Sequence, residues 1–343
     1  MLRTRFVFFR RPPVGNQPPR KRAANLQQRC GAALVTGFAL LTIPVHAQYP
    51  VKPIRLMVPN APGGAADATG RIFGSALSQA LGKQVIIDNR AGAGGNIAAE
   101  IAAKSAPDGY TLALGNVSHA ISVSLYRKLG YDLVQDLAPI ALLVASSYGV
   151  TVNPAVPAKS ISELIALAKA RPGSLNYGSS ANGTFLGGTL LCEMTGVKMT
   201  NVAYKGGAPA LVALMSGEIE VALTSVSSTL TPMRSGKLRV LAVTSAKRSL
   251  AAPDLPTVGE AGVAGYEATS WYGLMAPAGT PAEIITRLNA ESIKIVQRPD
   301  YREKFIASGV DPLGSTPEQF GSYLRSEIDK WGRVVRATGM RVD

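Results

Sequence analysis

Val58-Pro59-Asn60-Ala61-Pro62-Gly63-Gly64-Ala65-Ala66-Asp67 joins two segments of different periodicity. Ahead of it, Ile54-Arg55-Leu56-Met57-Val58 is a short apolar run of the kind that forms a buried strand. Behind it, Ala68 to Leu81 repeats apolar residues at helical spacing. The joint is rich in Pro and Gly, carries no bulky side chain and ends where a helix begins. Such a turn points several backbone N–H groups at whatever lies above it, and the helix dipole adds partial positive charge. That combination suits a small anion, most simply a carboxylate. An ordinary chain reversal uses the same residues, and this loop taken alone does not choose between the two.

Strand-like and helix-like segments continue to alternate on both sides of this joint. Strands are expected at 54–58, 84–89, 111–115, 140–144, 149–152, 176–178, 221–224, 238–244 and 272–276. Helices are expected at 68–81, 96–105, 160–170, 186–195, 209–216, 281–297, 299–308 and 317–338. The alternation predicts an α/β architecture with mostly parallel sheets, long enough for two domains of ordinary size. Ser160 with Glu163 forms a capping box, and Thr280-Pro281 and Thr316-Pro317 each place a hydroxyl before a first-turn proline. The last helix carries an apolar stripe through Phe320, Ile328, Trp331 and Val335 that must dock on something.

The N-terminus has the order of a secretory signal: basic, apolar, then a cut. Eight Arg and Lys and no acidic residue precede the apolar run from Gly31 to Ile43, and Val45-His46-Ala47 supplies the small-x-small pattern for cleavage after Ala47. Removing the eight leader charges takes the formal net charge from +14 to +6. A surplus of that size, without a basic stripe among aromatics, does not describe a nucleic-acid binder. The mature chain keeps one cysteine, Cys192, and one histidine, His119. An intrachain disulfide is therefore excluded, a zinc site of the usual ligands is not expected, and Cys192 reads as a small buried hydrophobe.

Three glycine-rich or serine-rich motifs fail their chemistry. Gly92-Ala93-Gly94-Gly95-Asn96-Ile97 has Ile97 where a dinucleotide fingerprint needs its third glycine, and reads as a structural turn with Asn96 as helix cap. Gly82-Lys83 lacks the rest of a phosphate loop, and Gly178-Ser179-Ser180-Ala181-Asn182 fails the last position of a nucleophile elbow. A serine hydrolase would have to use His119 as its base. Three further polar loops follow strands: 176–184, 204–209 and 116–119. In α/β sheets ligands sit beyond the carboxyl ends of strands, so four such loops favour a ligand cleft. Trp271-Tyr272 fits either a lid over that cleft or core packing.

Eight segments, in order, resemble the periplasmic solute-binding receptors of tripartite tricarboxylate transporters, the Bug receptors. They include Pro62–Asp67, the run from Asp88 to Asn96, Ala106-Pro107-Asp108-Gly109-Tyr110, Val202-Ala203-Tyr204-Lys205-Gly206, Leu255-Pro256-Thr257-Val258-Gly259-Glu260 and Ala276-Pro277-Ala278-Gly279. The resemblance implies a two-domain periplasmic binding protein of type II, a Venus-flytrap fold with its ligand cleft between domains. Residues 48–149 plus 271–343 would form the first domain and 150–270 the second. It also implies a monomeric, non-catalytic receptor without cofactor or metal. Such a receptor binds a small carboxylate through backbone amides and serves a membrane permease or a sensor kinase.

Carried over, Asn60, Ala61, Gly64, Ala65 and Asp67 line one wall, and Ser179, Ser180, Asn182, Gly183 and Thr184 the other. Asn116, Ser118, His119, Tyr204 and Gly206 are further candidates, and Thr224 takes a place where the family usually has aspartate. Asn60 replaces an apolar residue and Gly187 a histidine, so a particular ligand does not carry over. Two other readings stay open: a periplasmic hydrolase working through His119, and a receptor that serves signalling alone.

Overall fold

The computed structural model describes residues 49–342; the leader, with Cys30, His46 and the expected cut after Ala47, lies outside the described residues. β1 (Ile54–Val58) lies between β2 (Val85–Asn89) and β3 (Thr111–Asn116), parallel to both. α1 (Ala65–Leu81) and α2 (Asn96–Ala103) make the crossovers. Ile54, Leu56, Met57 and Val58 are fully buried, as a strand covered on both faces requires. A second parallel set is formed by β5 (Asn176–Ser179) with β6 (Thr200–Ala203) and β7 (Val221–Ser225).

The expectation of mostly parallel sheets does not hold. β4 (Leu137–Val152) pairs antiparallel with β7, with β8 (Arg239–Val243), with β9 (Thr269–Pro277) and with β10 (Asp311–Pro312). β9 is antiparallel to β3 as well. These two long strands carry the chain between the two parallel sets in opposite directions, which is why their pairings reverse.

β4 was expected as two strands, at 140–144 and 149–152, because Ala145-Ser146-Ser147-Tyr148 breaks the apolar run. In the structure it is one strand of 16 residues. Its pairing passes from β9 to β7 and β8 between Ser147 and Tyr148. The polar residues of the break are satisfied from outside the strand. Ser147 Oγ donates to Ser245 Oγ at 2.7 Å, Ser146 Oγ to the Gly309 carbonyl at 3.2 Å, and the Tyr148 N–H to Thr244 Oγ1 at 2.9 Å.

Two helices went unread in the sequence. α3 (Val117–Leu125) starts directly at the end of β3, where a loop was expected, and α7 (Val226–Arg234) contains Pro232 within a Ser/Thr-rich stretch. α5 (Asn182–Thr195) and α6 (Gly207–Ser216) begin four and two residues earlier than expected. Small, polar first turns hide helical periodicity, so residues read as loop are helical. Asn96 does not cap α2: Gly95 takes the cap position, and the Asn96 side chain turns inward to Ser122 Oγ and the Tyr131 hydroxyl. Of the two expected Thr-Pro caps before α8 (Ala282–Gln297) and α10 (Pro317–Thr338), Thr316 receives the Gln319 N–H as a cap should. Thr280 instead donates to the Pro277 carbonyl.

The stripe on α10 docks on β4 and α3, burying Phe320, Leu324, Trp331 and Val335, each worth roughly 2 kcal/mol in apolar transfer. Trp271 is wholly buried there, edge-on to Phe320 and Tyr323, so the pair Trp271-Tyr272 is core and not a lid. Its indole N–H and that of Trp331 both donate to Glu327 Oε2 at 2.9 Å, while Lys330 pairs with the other oxygen. That buried, fully partnered carboxylate fixes α10 to β9. Cys192 is half-buried, and burial pushes its thiol pKa up, as an inert packing residue requires.

Candidate ligand-binding site

The turn after β1 is exposed from Asn60 to Ala65, while Pro59 beneath it and Ala66 and Asp67 behind it are buried. Gly63 sits at φ +89°, a left-handed conformation that favours glycine. Gly64 caps α1 from extended backbone with no side chain closing on the helix end. The exposed N–H groups of this first turn are therefore left to solvent or to a ligand.

What holds the turn in place lies below it. Asp67 is only 4% exposed; its Oδ2 accepts from the Gly63 N–H and from Arg71 Nε, both at 2.9 Å. Burial alone would raise the Asp67 pKa, but the hydrogen bonds from Arg71 and Gly63 and the Arg71 charge outweigh it and hold the carboxyl below its usual range. Asp67 thus braces the turn through Oδ2, while its Oδ1 is buried without a hydrogen-bond partner among the described residues. Asn60 is tied twice: its carbonyl accepts from Asn89 Nδ2 at 2.9 Å and its side chain from Asn116 Nδ2 at 3.4 Å.

Asn116 links this turn to the next one. It caps α3, its Oδ1 accepting the Ser118 N–H at 3.1 Å. His119 completes the cap from the other side: its Nδ1 accepts the Asn116 N–H at 3.0 Å, which leaves Nε2 to donate to the Gly95 carbonyl at 3.1 Å. The ring is 1% exposed, and burial lowers its pKa, so it is a neutral imidazole with both nitrogens committed to backbone. The glycine-rich run at 92–95 is the floor under it. A side chain at Gly95 (φ +97°) would strike Pro59 at 2.8 Å and His119 Nε2 at 3.1 Å.

The turn after β5 is built differently. Thr184, in the first turn of α5, bends back so that Oγ1 accepts the N–H of Ser180 at 2.9 Å and of Ala181 at 3.1 Å, and donates to the Ala181 carbonyl. Ser179 is buried and exchanges hydrogen bonds with the Asn201 side chain. Asn182 and Gly183 lead the helix. A Cβ built on Gly183 lies 2.8 Å from the Tyr148 hydroxyl and 3.8 Å from Val117. The start of α5 thereby meets the start of α3, and through Asn116 and Asn60 the turn after β1. Tyr148, in the middle of β4, was not singled out from sequence; only the close approach to Gly183 reveals it.

The remaining candidates divide. Tyr204 gives its hydroxyl to Glu218 at 3.0 Å, and Gly206 (φ +110°) leads into α6, another helix start without a side-chain cap. Thr224 is buried with its hydroxyl 2.9 Å from that of Thr151, and so joins β7 to β4. Gly187 is likewise interior: Leu223 lies 2.8 Å and Ala268 3.1 Å from where its Cβ would be, and its carbonyl accepts from the Tyr266 hydroxyl. No group of three or more His, Cys, Asp or Glu that could hold a metal ion occurs among the described residues, and no helix among them is long and apolar enough to cross a membrane.

Two sheet-and-helix lobes joined by two crossing strands, with helix starts gathered at the strand ends, define a solute-binding protein. Residues 70–340 match the family model of the tripartite tricarboxylate transporter family receptors (TctC), and the chain belongs to that family. BugT of Bordetella pertussis is 37% identical over 88% of this chain and 94% of its own. Among solved structures, R. palustris Rpa4515 with adipate superposes at a TM-score of 0.72 with 36% identity, covering 85% of this chain and 99% of that one. MatC from Rhodopseudomonas palustris, with bound malate, gives 0.68 and 31% over 84% and 100%. The fold is the two-domain periplasmic binding protein fold of that family.

Proposed function

We propose that this chain captures a small carboxylate in the periplasm and presents it, enclosed, to the permease of a tripartite transporter. The observation that carries the reading is the pair of braced turns after β1 and β5. Both lead into helices whose N-cap residues, Gly64 and Ala181, close no side chain on the first N–H groups, and α3 joins the two. A carboxylate held by backbone donors at both turns binds the shut form better than the open one, and that difference drives closure. The lobes we assign are residues 48–149 with 271–343, and 150–270. The protein would be exported by cleavage after Ala47 and act as a monomer, with no cofactor and no chemistry on its ligand. His119 supports the last point, because a base needs a free nitrogen and both of its nitrogens are engaged.

The test is a thermal-shift series with mono-, di- and tricarboxylates, amino acids and sugars. A carboxylate at about 100 times its Kd should add about 2.7 kcal/mol of stability, or roughly 5 °C. Stabilisation by sugars and by no carboxylate would sink the proposal.

A further inference from the structure

Beside the start of α5 lies a cavity of about 300 Å³ whose lining is unlike an anion site. Phe185 of α5, Ala203 of β6 and Met340 of the C-terminal tail form its apolar walls. Its polar residues are mostly spoken for already. Ser179 and Asn201 satisfy each other, and the Tyr204 hydroxyl is given to Glu218. No Lys, Arg or His lines it. Unengaged polar side chains remain only at Ser180 and Asn182, at the helix start itself.

Met340 reaches the cavity from the C-terminal tail. The tail beyond α10 is clamped to the end of α3, with the Val342 N–H donating to the Leu125 carbonyl at 2.8 Å and the Arg127 N–H to the Val342 carbonyl at 3.2 Å. The tail therefore brings a fixed, polarisable wall to a cavity otherwise made by β5, β6 and α5.

We infer that this cavity seats the body of the ligand, and that the ligand is a monocarboxylate with an uncharged apolar body of aromatic-ring size. The inference rests on the receptor reading above and names its substrate class. One carboxylate is met by the backbone donors of the two braced turns. A second one, carried into the cavity, would meet no Lys, Arg or His and, past Ser180 and Asn182, only an aromatic ring, a thioether and polar groups already paired, so it would exchange hydration for few new partners. An apolar ring instead gains contact with Phe185 and Met340. This sets the chain apart from its relatives solved with adipate and malate, both of which carry two carboxylates.

The experiment is calorimetric titration of the purified mature protein with benzoate, phenylacetate, adipate, malate and citrate. Benzoate or phenylacetate should bind at least about tenfold more tightly than any of the other three, which is about 1.4 kcal/mol. Tighter binding of adipate, malate or citrate would overturn the inference and leave the receptor reading standing. Binding of none of the five, with a sugar or amine bound instead, would overturn both. Two variants locate the body. Met340→Lys brings a cation into the cavity, and Ala203→Phe fills it from an exposed strand edge. Each should weaken the preferred monocarboxylate about tenfold or more, and Met340→Lys should narrow the gap to adipate. Unchanged affinities in both variants, with unchanged circular dichroism, would place the ligand elsewhere and overturn the inference.

Discussion

The turn after β1 and the turn after β5 both run from a strand straight into a helix, yet they treat their backbone donors differently. After β1, the bracing groups stand behind the turn: Asp67 takes the Gly63 N–H from below, and Asn89 and Asn116 hold Asn60. The helix start itself is uncapped. After β5, the bracing group is Thr184, inside the turn, and it consumes the N–H groups of Ser180 and Ala181. One wall is therefore rigid and open, the other rigid and partly self-satisfied. An anion would find more free donors on the first wall, while the second would offer fewer donors and an adjoining apolar cavity. The division predicts that charge is read after β1 and body shape after β5.

The sharpest way to break this comparison is to give the first wall a self-satisfying cap. Gly64 stands at φ −88°, ψ 174°, a conformation in which aspartate is a favoured cap, and the nearest atom to a new Cβ is 3.8 Å away. Gly64→Asp should leave thermal stability unchanged or slightly raised, because the new carboxylate satisfies the α1 donors. The same carboxylate repels and displaces the ligand. Affinity should fall by about 100-fold or more, equivalent to about 2.7 kcal/mol, in a titration against the preferred carboxylate. Wild-type affinity in a folded Gly64→Asp protein would show that the first wall does not read charge.

A smaller effect is expected on the second wall. Thr184→Val keeps the side-chain volume and removes the hydroxyl that organises the turn. Losing a cap costs about 1 kcal/mol, visible as a shifted urea midpoint at constant slope. Affinity should drop about tenfold, since the freed N–H groups are no longer held in place. A variant that binds more tightly would mean that those two donors are wanted by the ligand and are withheld by Thr184.

The parts of this molecule that were legible in the sequence are those with strong periodicity. The apolar strand Ile54–Val58 and the long amphipathic helix Pro317–Thr338 appear with the bounds expected. What escaped was set by tertiary context. β4 reads as two strands because Ser146, Ser147 and Tyr148 find their hydrogen bonds in Gly309, Ser245 and Thr244, residues 96 and more positions away. α3 escaped because its cap, Asn116, is also the last residue of a strand. The turns of the candidate site were legible as turns. That Asp67, Thr184 and His119 would brace them was not, since a buried carboxylate and an exposed one have the same letter. Thr224 and Gly187 show the same limit: positions that differ from the family pattern turn out to be interior contacts with Thr151 and Tyr266.

His119 offers the finest test, because its role separates bracing from chemistry. In a capping box the third helical residue returns a hydrogen bond to the cap backbone, and glutamine can do so with its side-chain oxygen. His119→Gln should therefore keep the Asn116 N–H partnered and change affinity by no more than about threefold. The pH dependence should change instead. Burial lowers the folded-state pKa of His119, so the unfolded chain takes up a proton first as the pH falls below about 6.5. Wherever the unfolded state binds more protons, stability rises with pH, and the wild type must lose stability on acidification through that range. His119→Gln removes this loss, so its melting temperature should be flatter than that of the wild type between about pH 7 and pH 5. A hydrolase would show the same flattening but would lose all turnover of its ester or amide, so affinity and turnover, read together, separate the two roles.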